Sequence, residues 1–278
     1  NGAGKTTTLM MLAGVLRPTS GEVRLFGKRL SDDPFALKRR VGVVIEAQSY
    51  YDEMTAWEYL TFFARLYRAQ DASKRGQTLL ERLGLWEWRD TIIGGFSTGM
   101  QRKLALVRAL LHAPELLILD EPVARLDPFS VKQVRELLLD EHAAGRTILI
   151  SSHILSEIER TADRVGIIAR GRLLFEDTMS SLRLKVGAGQ IEIELVEPTI
   201  ELEAELLALP FVTHVRVTQG RLAITTSGDQ DRRGEISRFL SARGATIIEM
   251  RAIAPSLEEA FITITETDVD AWSGAARG

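Results

Sequence analysis

Short apolar runs alternate with longer segments of helical period over the first part of the chain. The runs Val41–Ile45, Leu116–Leu119 and Thr147–Ile150 are aliphatic throughout or nearly so, which is typical of strands buried in a sheet. From Thr55 to about Leu85 the apolar residues are spaced for one face of a helix, and a further helical segment begins near Ser130. Strands that alternate with helices in this way predict a parallel α/β sheet.

Three smaller elements complete this part of the pattern. A helix is predicted over Thr6–Leu16, and Glu22–Phe26 alternates polar and apolar residues as a half-buried strand does. Val165–Ile168 and Arg172–Phe175 are predicted to form a hairpin, because the Arg170-Gly171 pair between them is typical of a tight turn.

The pattern changes at Lys185–Gly189, a small-residue stretch that we interpret as a linker. The predicted elements beyond it are, in order, Ile191–Val196 (strand), Glu201–Leu207 (helix), Val212–Val217 (strand), Leu222–Thr226 (strand), Glu235–Ala242 (helix), Thr246–Met250 (strand) and Ser256–Ile262 (helix). A β-α-β-β-α-β order favours a small α+β, ferredoxin-like domain. We therefore predict domains at residues 1–184 and 185–268, followed by a flexible tail at 269–278.

Composition narrows the class of protein. The 278 residues are 45% hydrophobic and 26% charged, the balance of a soluble globular protein. A net charge of −3 gives no basic footprint, so no nucleic-acid partner is expected. The absence of cysteine excludes disulfides and thiolate metal sites. No signal peptide is recognisable, and no apolar run approaches the roughly 18 residues of a membrane-spanning helix.

The chain opens with residues that match the end of the phosphate-loop pattern G-x-x-x-x-G-K-[S/T]. The matching residues are Asn1, Gly2, Ala3, Gly4, Lys5, Thr6, Thr7 and Thr8. Glycines in such a loop let backbone N–H groups surround the phosphates of a nucleotide at a helix N-terminus. Lys5 is expected to reach the β- and γ-phosphates, and the Thr6 hydroxyl is expected to bind Mg²⁺.

A second motif follows the apolar run Leu116–Leu119. Asp120 stands at the carboxyl end of this predicted strand, where ligands bind in open α/β sheets, and is expected to hold Mg²⁺. Glu121, the next residue, could take the proton of an attacking water. In a chain that also carries a phosphate loop, this acidic pair indicates nucleotide hydrolysis.

Three further motifs complete a resemblance to ABC-type ATPases over roughly residues 1 to 180. Phe96–Arg102 is similar to the LSGGQ signature of that family, and Ala124–Asp127 is similar to its D-loop. His153 is placed like the switch histidine of the family. The order and spacing of five motifs agree with an ABC-type P-loop NTPase fold, which implies a helical subdomain at about 47–108.

The resemblance implies that two such domains trap two ATP molecules, each lying on one subunit's phosphate loop beneath the other's signature. The signature residues implied to contact the nucleotide are Ser97, Thr98, Gly99 and Met100. His153 is implied to contact the γ-phosphate, and Asp127 to couple the two sites across the interface. The cofactors implied are ATP and Mg²⁺, with Glu121 and His153 as the catalytic residues.

The chain departs from the family pattern at several positions. Thr98 and Met100 stand where glycine and glutamine are usual, and Arg125 replaces a small residue of the D-loop. Threonine restricts the backbone where glycine would be free. At the Q-loop position, Glu46 follows the predicted strand and Gln48 comes two residues later; either could contact Mg²⁺ or the attacking water.

An aromatic cluster follows the Q-loop, formed by Tyr50, Tyr51, Met54 and Trp57. In the family this region receives a helix of the transmembrane partner, and an exposed apolar groove would suit such docking. The alternative, that these residues fill the core of the helical subdomain, is open at this point.

The resemblance identifies an ATP-binding and hydrolysing subunit of an ABC transporter. The motif variants and the added C-terminal domain favour export, and we expect that domain to stabilise or regulate the dimer. The partners implied are a transmembrane permease subunit and a second ATP-binding subunit, identical or related. The expected location is peripheral, on the cytoplasmic face of the cell membrane.

Two alternatives remain. One is a soluble ABC-type ATPase that acts on ribosomes or DNA rather than in transport. The other is an inactive fragment, since the leading glycine of the phosphate loop, a central strand and the family's adenine-stacking aromatic would have to come from an upstream segment. On that hypothesis the 278-residue chain binds ATP weakly, whereas an upstream extension restores hydrolysis.

Overall fold

The computed structural model describes residues 2–46, 48–186, 188–196, 201–218, 221–227, 230–253, 257–258 and 260–261. The chain divides into two compact units, Asn1–Thr161 and Ala162–Gly278. This division comes earlier in the chain than the domain boundary inferred from the sequence between residues 184 and 185. The assignment of residues 1–184, 185–268 and a tail at 269–278 stays a prediction.

The first unit contains seven α-helices, two 3₁₀ helices (Trp86–Trp88 and Ile93–Gly95) and five strands in its described residues. The α-helices and strands are labelled here. In chain order they are α1 (Lys5–Leu12), β1 (Arg24–Leu25), β2 (Lys28–Arg29), α2 (Pro34–Lys38), β3 (Val41–Val44), α3 (Ala56–Tyr67), α4 (Ala72–Arg82), α5 (Thr98–Leu110), β4 (Leu116–Asp120), α6 (Pro128–Ala143), β5 (Thr147–Ser151) and α7 (Leu155–Thr161). The predicted strands at 41–45 and 116–119 are thereby confirmed to within a residue.

A parallel sheet of order β3-β4-β5 carries the carboxyl ends of its strands at one edge. Strand β4 is central and almost fully buried, as its apolar run predicts. Strand β5 was expected to be buried as well, and this was wrong, because Thr147 and Leu149 are exposed. In the described residues β5 pairs with β4 alone, so it forms an edge with one open face.

The helical segment predicted from Thr55 to about Leu85 is divided into α3 and α4. Thr55 caps α3 and forms a capping box with Glu58, which fixes where this helix begins. Arg68 ends the helix in a left-handed conformation with φ of 53°. Helices α3, α4 and α5 pack their apolar faces into one core with the central strand, including the fully buried side chains of Leu60, Leu80 and Leu104.

The second unit begins with an antiparallel hairpin, β6 (Arg164–Ala169) and β7 (Arg172–Thr178), as the sequence predicts. Its other described elements are α8 (Met179–Val186), β8 (Ala188–Leu195), α9 (Glu201–Leu207), β9 (Val212–Thr218), β10 (Arg221–Ser227), α10 (Arg233–Ala242) and β11 (Ile247–Ile253). The expected linker at Lys185–Gly189 is largely wrong, because α8 runs to Val186 and β8 starts at Ala188.

The sheet of the second unit has the order β11-β8-β10-β9, and every neighbouring pair is antiparallel. Counted within this domain, the order is 4-1-3-2, which confirms the predicted ferredoxin-like arrangement. Ile193, Leu206, Leu222, Ile236 and Leu240 are fully buried in its core.

The last predicted helix, Ser256–Ile262, lies partly outside the described residues. Four of its residues are described as helical, and Leu257 and Ala260 among them are buried. The tail at 269–278 lies wholly outside them. Within the described residues, no helix combines the length and the apolarity that a membrane crossing requires.

Candidate functional site

The phosphate loop leads directly into helix α1. Gly4 precedes the helix with φ of 99° and Gly2 has φ of 79°, left-handed values that favour glycine. No side chain caps the helix, so its first N–H groups are left for another acceptor. Lys5 and Thr6 are half-buried in the first turn, beside half-buried Ala3 and exposed Thr7. Asn1 lies outside the described residues.

Asp120 ends β4 with 1% of its surface exposed. Strand register pairs it with Ser151 of β5, and the Ser151 hydroxyl donates a short hydrogen bond to Oδ1 of Asp120. Oδ2 is buried and has no hydrogen-bond partner among the described residues. A buried carboxylate oxygen without a donor is costly, so this atom is suited to a cation or an ordered water.

Glu121 turns the chain sharply at the end of the strand, with a left-handed φ of 51°. Its N–H donates to the carbonyl oxygen of Ser151 at 3.1 Å and lies 3.3 Å from the Ser151 hydroxyl. Because of this turn, the two adjacent acidic side chains point in different directions. Asp120 contacts Ser151, whereas the side chain of Glu121 contacts a different residue.

That residue is His153, the other predicted catalytic residue. Its Nδ1 lies 2.7 Å from Oε2 of Glu121, and its backbone N–H donates to the same oxygen at 3.4 Å. Since a carboxylate only accepts, the proton between them is on Nδ1. The glutamate side chain is 11% exposed and the histidine side chain 61% exposed, so the pair has one buried and one open member.

The signature segment begins helix α5. Ser97 caps the helix, and its hydroxyl accepts a hydrogen bond from the N–H of Met100 at 3.2 Å. Ser97 and Thr98 are exposed, while Gly99 and Met100 are half-buried. Thr98 is the first helical residue, a conformation that threonine adopts readily, so the expected backbone restriction does not arise here.

Asp127 caps helix α6 and accepts hydrogen bonds from the N–H groups of Phe129 and Ser130, both at 3.0 Å. Hydrogen bonds from Ser130 lower the pKa of Asp127 below its usual value, and the bond from the Ser130 side chain has a larger effect than the bond from its backbone. The D-loop residue Arg125 is exposed and has φ of 63°. Asp127 therefore anchors the end of the D-loop, in which Arg125 is exposed, to the start of helix α6.

The two Q-loop candidates face different surroundings. Glu46 is exposed just after β3. Gln48 is half-buried, and its amide contacts the hydroxyl of Tyr59 at 3.4 Å and the guanidinium of Arg108 at 3.1 Å. In this structure the Gln48 side chain is thus held by helices α3 and α5.

Comparison with known proteins shows the family of this chain. A family model described as ABC transporter matches residues 1–124. The bacitracin transport ATP-binding protein BcrA of Bacillus licheniformis is 35% identical over 95% of this chain and 85% of its own length. The daunorubicin/doxorubicin resistance ATP-binding protein DrrA of Streptomyces peucetius is 33% identical over 97% of this chain and 83% of its own length. A solved ATP-binding subunit of an ABC transporter, 33% identical, covers 66% of this chain and 78% of its own, with a TM-score of 0.63.

The chain belongs to the ABC transporter ATP-binding proteins. Its first unit has the P-loop ABC ATPase fold, a domain that binds and hydrolyses ATP, and the predicted family and fold are confirmed.

Sequence reasoning missed three residues that contact the predicted site residues. Ser151 fixes both Asp120 and Glu121, and only the pairing of β4 with β5 reveals it. Arg102 is buried and donates to the carbonyl oxygen of Asp120 at 3.4 Å, and Arg108 holds Gln48. The available signal was the position of Arg102 shortly before, and of Arg108 within, the apolar run Leu104–Leu110.

The aromatic cluster mostly fills the ABC domain's helical core. Tyr50, Met54 and Trp57 pack against buried residues, and the Tyr50 hydroxyl donates to the carbonyl oxygen of Gln101 at 2.9 Å. Tyr51 is different, because it is 51% exposed and lies against the ring of exposed Phe62 at 5.7 Å. The core alternative therefore holds for three of the four residues.

Proposed function

We propose that this ABC subunit works in an exporter, where ATP hydrolysis at its Glu121–His153 pair drives a separate membrane subunit at the cytoplasmic face of the cell membrane. The observation that carries the chemistry is the 2.7 Å contact between Glu121 and His153, beside the unpartnered Oδ2 of Asp120. Relatives named for bacitracin transport and for drug resistance support the export direction.

Mg²⁺ would be held by Asp120 and by the hydroxyl of Thr6. Oδ2 of Asp120 fits this role because it is buried and lacks a donor among the described residues. A hard cation of this kind uses one or two protein oxygens together with substrate phosphates. The bound ion would neutralise charge that develops on the phosphates.

Glu121 would accept the proton of the attacking water. His153 donates a hydrogen bond from Nδ1–H to Glu121, which orients the carboxylate, and its exposed ring would donate from Nε2 to the γ-phosphate when Nε2 also carries a proton. The loop residues Gly2, Ala3, Gly4, Lys5 and Thr7, with Asn1, would surround the phosphates. The uncapped start of α1 supports this role, because its N–H groups lack a side-chain acceptor.

A second ATP-binding subunit would complete the site with its own Ser97, Thr98, Gly99 and Met100. The exposure of Ser97 and Thr98 at the start of a long helix supports this, because a hydroxyl, N–H groups and a positive helix end point to solvent. Asp127 would act at the same interface.

The permease would contact an exposed apolar patch formed by Tyr51, Phe62 and Leu66. Their exposed fractions are 51%, 41% and 59%, and all three lie on or next to α3. Grouped exposed apolar residues favour a protein interface.

Replacing the proposed base tests the hydrolysis. Glu121→Gln keeps the size of the side chain but cannot accept the proton, so ATP turnover should fall at least about 100-fold. The variant should also accumulate as an ATP-bound dimer in size-exclusion chromatography. Glu87→Gln, at an exposed position of a 3₁₀ helix, is the control and should match the wild-type rate. Undiminished turnover in Glu121→Gln would remove this residue from the mechanism.

The partner with which this subunit co-purifies distinguishes the transport role from the soluble alternative. The subunit should co-purify from detergent with a membrane protein, and Tyr51→Ser should weaken that association because it removes an exposed ring from the patch. Attachment to ribosomes or DNA without any membrane partner would contradict the transport role.

A further inference from the structure

Arg108, in the last turn of α5, joins three parts of the ATPase unit. One guanidinium nitrogen donates to the carbonyl oxygen of Val43 in β3 at 2.7 Å and to Oε1 of Gln48 at 3.1 Å. A second guanidinium nitrogen donates to the hydroxyl of Tyr59 in α3 at 3.3 Å. The guanidinium carbon also lies over the ring of Phe63, at 5.1 Å from its centroid.

Both polar atoms of the Gln48 amide are engaged by this cluster. Oε1 accepts from Arg108, and Nε2 donates to the hydroxyl of Tyr59 at 3.4 Å. Tyr59 itself is buried, so it cannot turn to solvent. The three side chains of Arg108, Gln48 and Tyr59 thus form a closed triangle that allows the amide one orientation.

The hydrogen-bond partners of Arg108 differ from those of an arginine in a structural ion pair. In the described residues Arg108 has no acidic side chain within salt-bridge distance, and its hydrogen-bond partners are a carbonyl, an amide and a phenol. Arg75 provides a contrast, because it donates to the carbonyl oxygen of Leu110 and to both carboxylate oxygens of Glu141. A partly buried cation without a counter-charge is costly, and its arrangement here serves to orient neutral groups.

We propose that Arg108 is a positioning residue for ATP hydrolysis, which acts by fixing Gln48 and the end of β3 against helices α3 and α5. This inference rests on the proposed function, since Gln48 matters only if the unit hydrolyses ATP beside the Q-loop. Arg108 does not touch the nucleotide; its effect passes through the amide that it holds. Glu46, which is exposed, takes no part in the triangle.

A double-mutant cycle on ATP hydrolysis tests the proposal. Gln48→Ala and Arg108→Met should each lower kcat by about 10-fold and change KM for ATP less than about threefold, because orientation rather than affinity is lost. The double variant should be no slower than the slower single variant. Arg108→Lys, which keeps a donor, should recover part of the rate. Independent effects that multiply in the double variant would overturn the proposal.

Arg75→Met is the matched control. It removes an arginine that bonds to the same helix, so it lowers the unfolding temperature in the same manner as Arg108→Met. Its effect on kcat should multiply with that of Gln48→Ala, because in the described residues Arg75 bonds to the Leu110 carbonyl oxygen and to Glu141 and makes no hydrogen bond to that amide. Non-additivity for Arg75 as well would indicate general loosening and would contradict a specific role for Arg108.

A measurement without ATP separates this inference from the proposed function. The side-chain amide resonance of Gln48, identified by its absence in Gln48→Ala, should shift in Arg108→Met and in Tyr59→Phe, but not in Arg75→Met. An unchanged resonance in Arg108→Met would refute the positioning role even if the enzyme is active. Absence of ATP turnover in the wild type would instead refute the proposed function, and the resonance would still decide whether Arg108 fixes Gln48.

Discussion

At the residue scale, two adjacent carboxylates have different surroundings because of one backbone angle. Asp120 is buried against Ser151, whereas the left-handed turn at Glu121 directs the second carboxylate to His153. The sequence predicts Asp120 and Glu121 from the apolar run that they follow, and His153 from the resemblance to ABC-type ATPases. It does not predict Ser151, whose role depends on the register that pairs β4 with β5.

Ser151→Ala should weaken the site and the fold together. The change removes the donor to Oδ1 of Asp120, and an unpaired buried acceptor costs about 1–3 kcal/mol. Urea unfolding should register this loss, and ATP turnover should require more Mg²⁺. Ser156→Ala, at an exposed position of α7, should change neither. Unaltered stability of Ser151→Ala would mean that the short hydrogen bond contributes nothing.

His112 makes stability depend on pH. Burial lowers its pKa from 6.5 to about 4, a net shift that the hydrogen bond to the carbonyl oxygen of Val41 opposes and that the charges of Arg108 and Arg75 assist. The ring stacks on Tyr67 at 4.1 Å, and its Nδ1 is buried without a partner in the described part of the chain.

Because the unfolded chain binds this proton first as the pH falls, stability is lost from about pH 6.5 down to about pH 4. His112 should make the protein about 2 kcal/mol less stable at pH 5 than at pH 7, by urea unfolding. His112→Phe should remove that difference, and His142→Gln, at an exposed position, should retain it. An identical pH dependence in His112→Phe would show that this histidine is not its source.

At the element scale, the central packing is the contact of β3 with α5. An added Cβ on Gly42 would lie 2.2 Å from the carbonyl oxygen of Ala109 and 2.8 Å from Leu117. The apolar run predicts β3, and Gly42 within it is a local sign of a close approach, but the sequence does not indicate which helix backbone makes it. For the same reason the sequence cannot decide between Glu46 and Gln48, since the partners of Gln48 come from two distant helices.

Gly42→Ala should therefore destabilise the first unit by about 3 kcal/mol or more, because the clash is with backbone that cannot move away. Thermal unfolding would measure the loss. Gly95→Ala is the control, since a Cβ there meets nothing within 4 Å, and its effect should stay within about 0.5 kcal/mol. Equal stability of the two variants would contradict the close approach.

At the scale of the whole molecule, each unit has a core of its own. The ferredoxin-like order of the second unit was predictable, because its strands alternate clearly and its turns are short. The start of that unit was not predictable, because Val165–Ile168 continues the apolar pattern of the earlier strands. In the structure this segment pairs only with β7 among the described strands.

Core truncations should act within their own unit. Leu222→Ala in β10 and Leu104→Ala in α5 each remove a fully buried side chain, at a cost of about 2–5 kcal/mol. Hydrogen exchange should show faster opening of α9 and α10 in the first variant and of α5 in the second. Equal acceleration throughout the chain in both variants would contradict separate cores.

The left-handed turn at Glu121 has a consequence for protein engineering. Asparagine and glycine adopt this left-handed conformation more readily than glutamate, which destabilises the folded state by about 1 kcal/mol there. Stability and activity therefore compete at this position. Random libraries sorted only for yield or heat resistance are expected to accumulate inactive proteins with asparagine or glycine at position 121, so selection for improved variants has to include turnover.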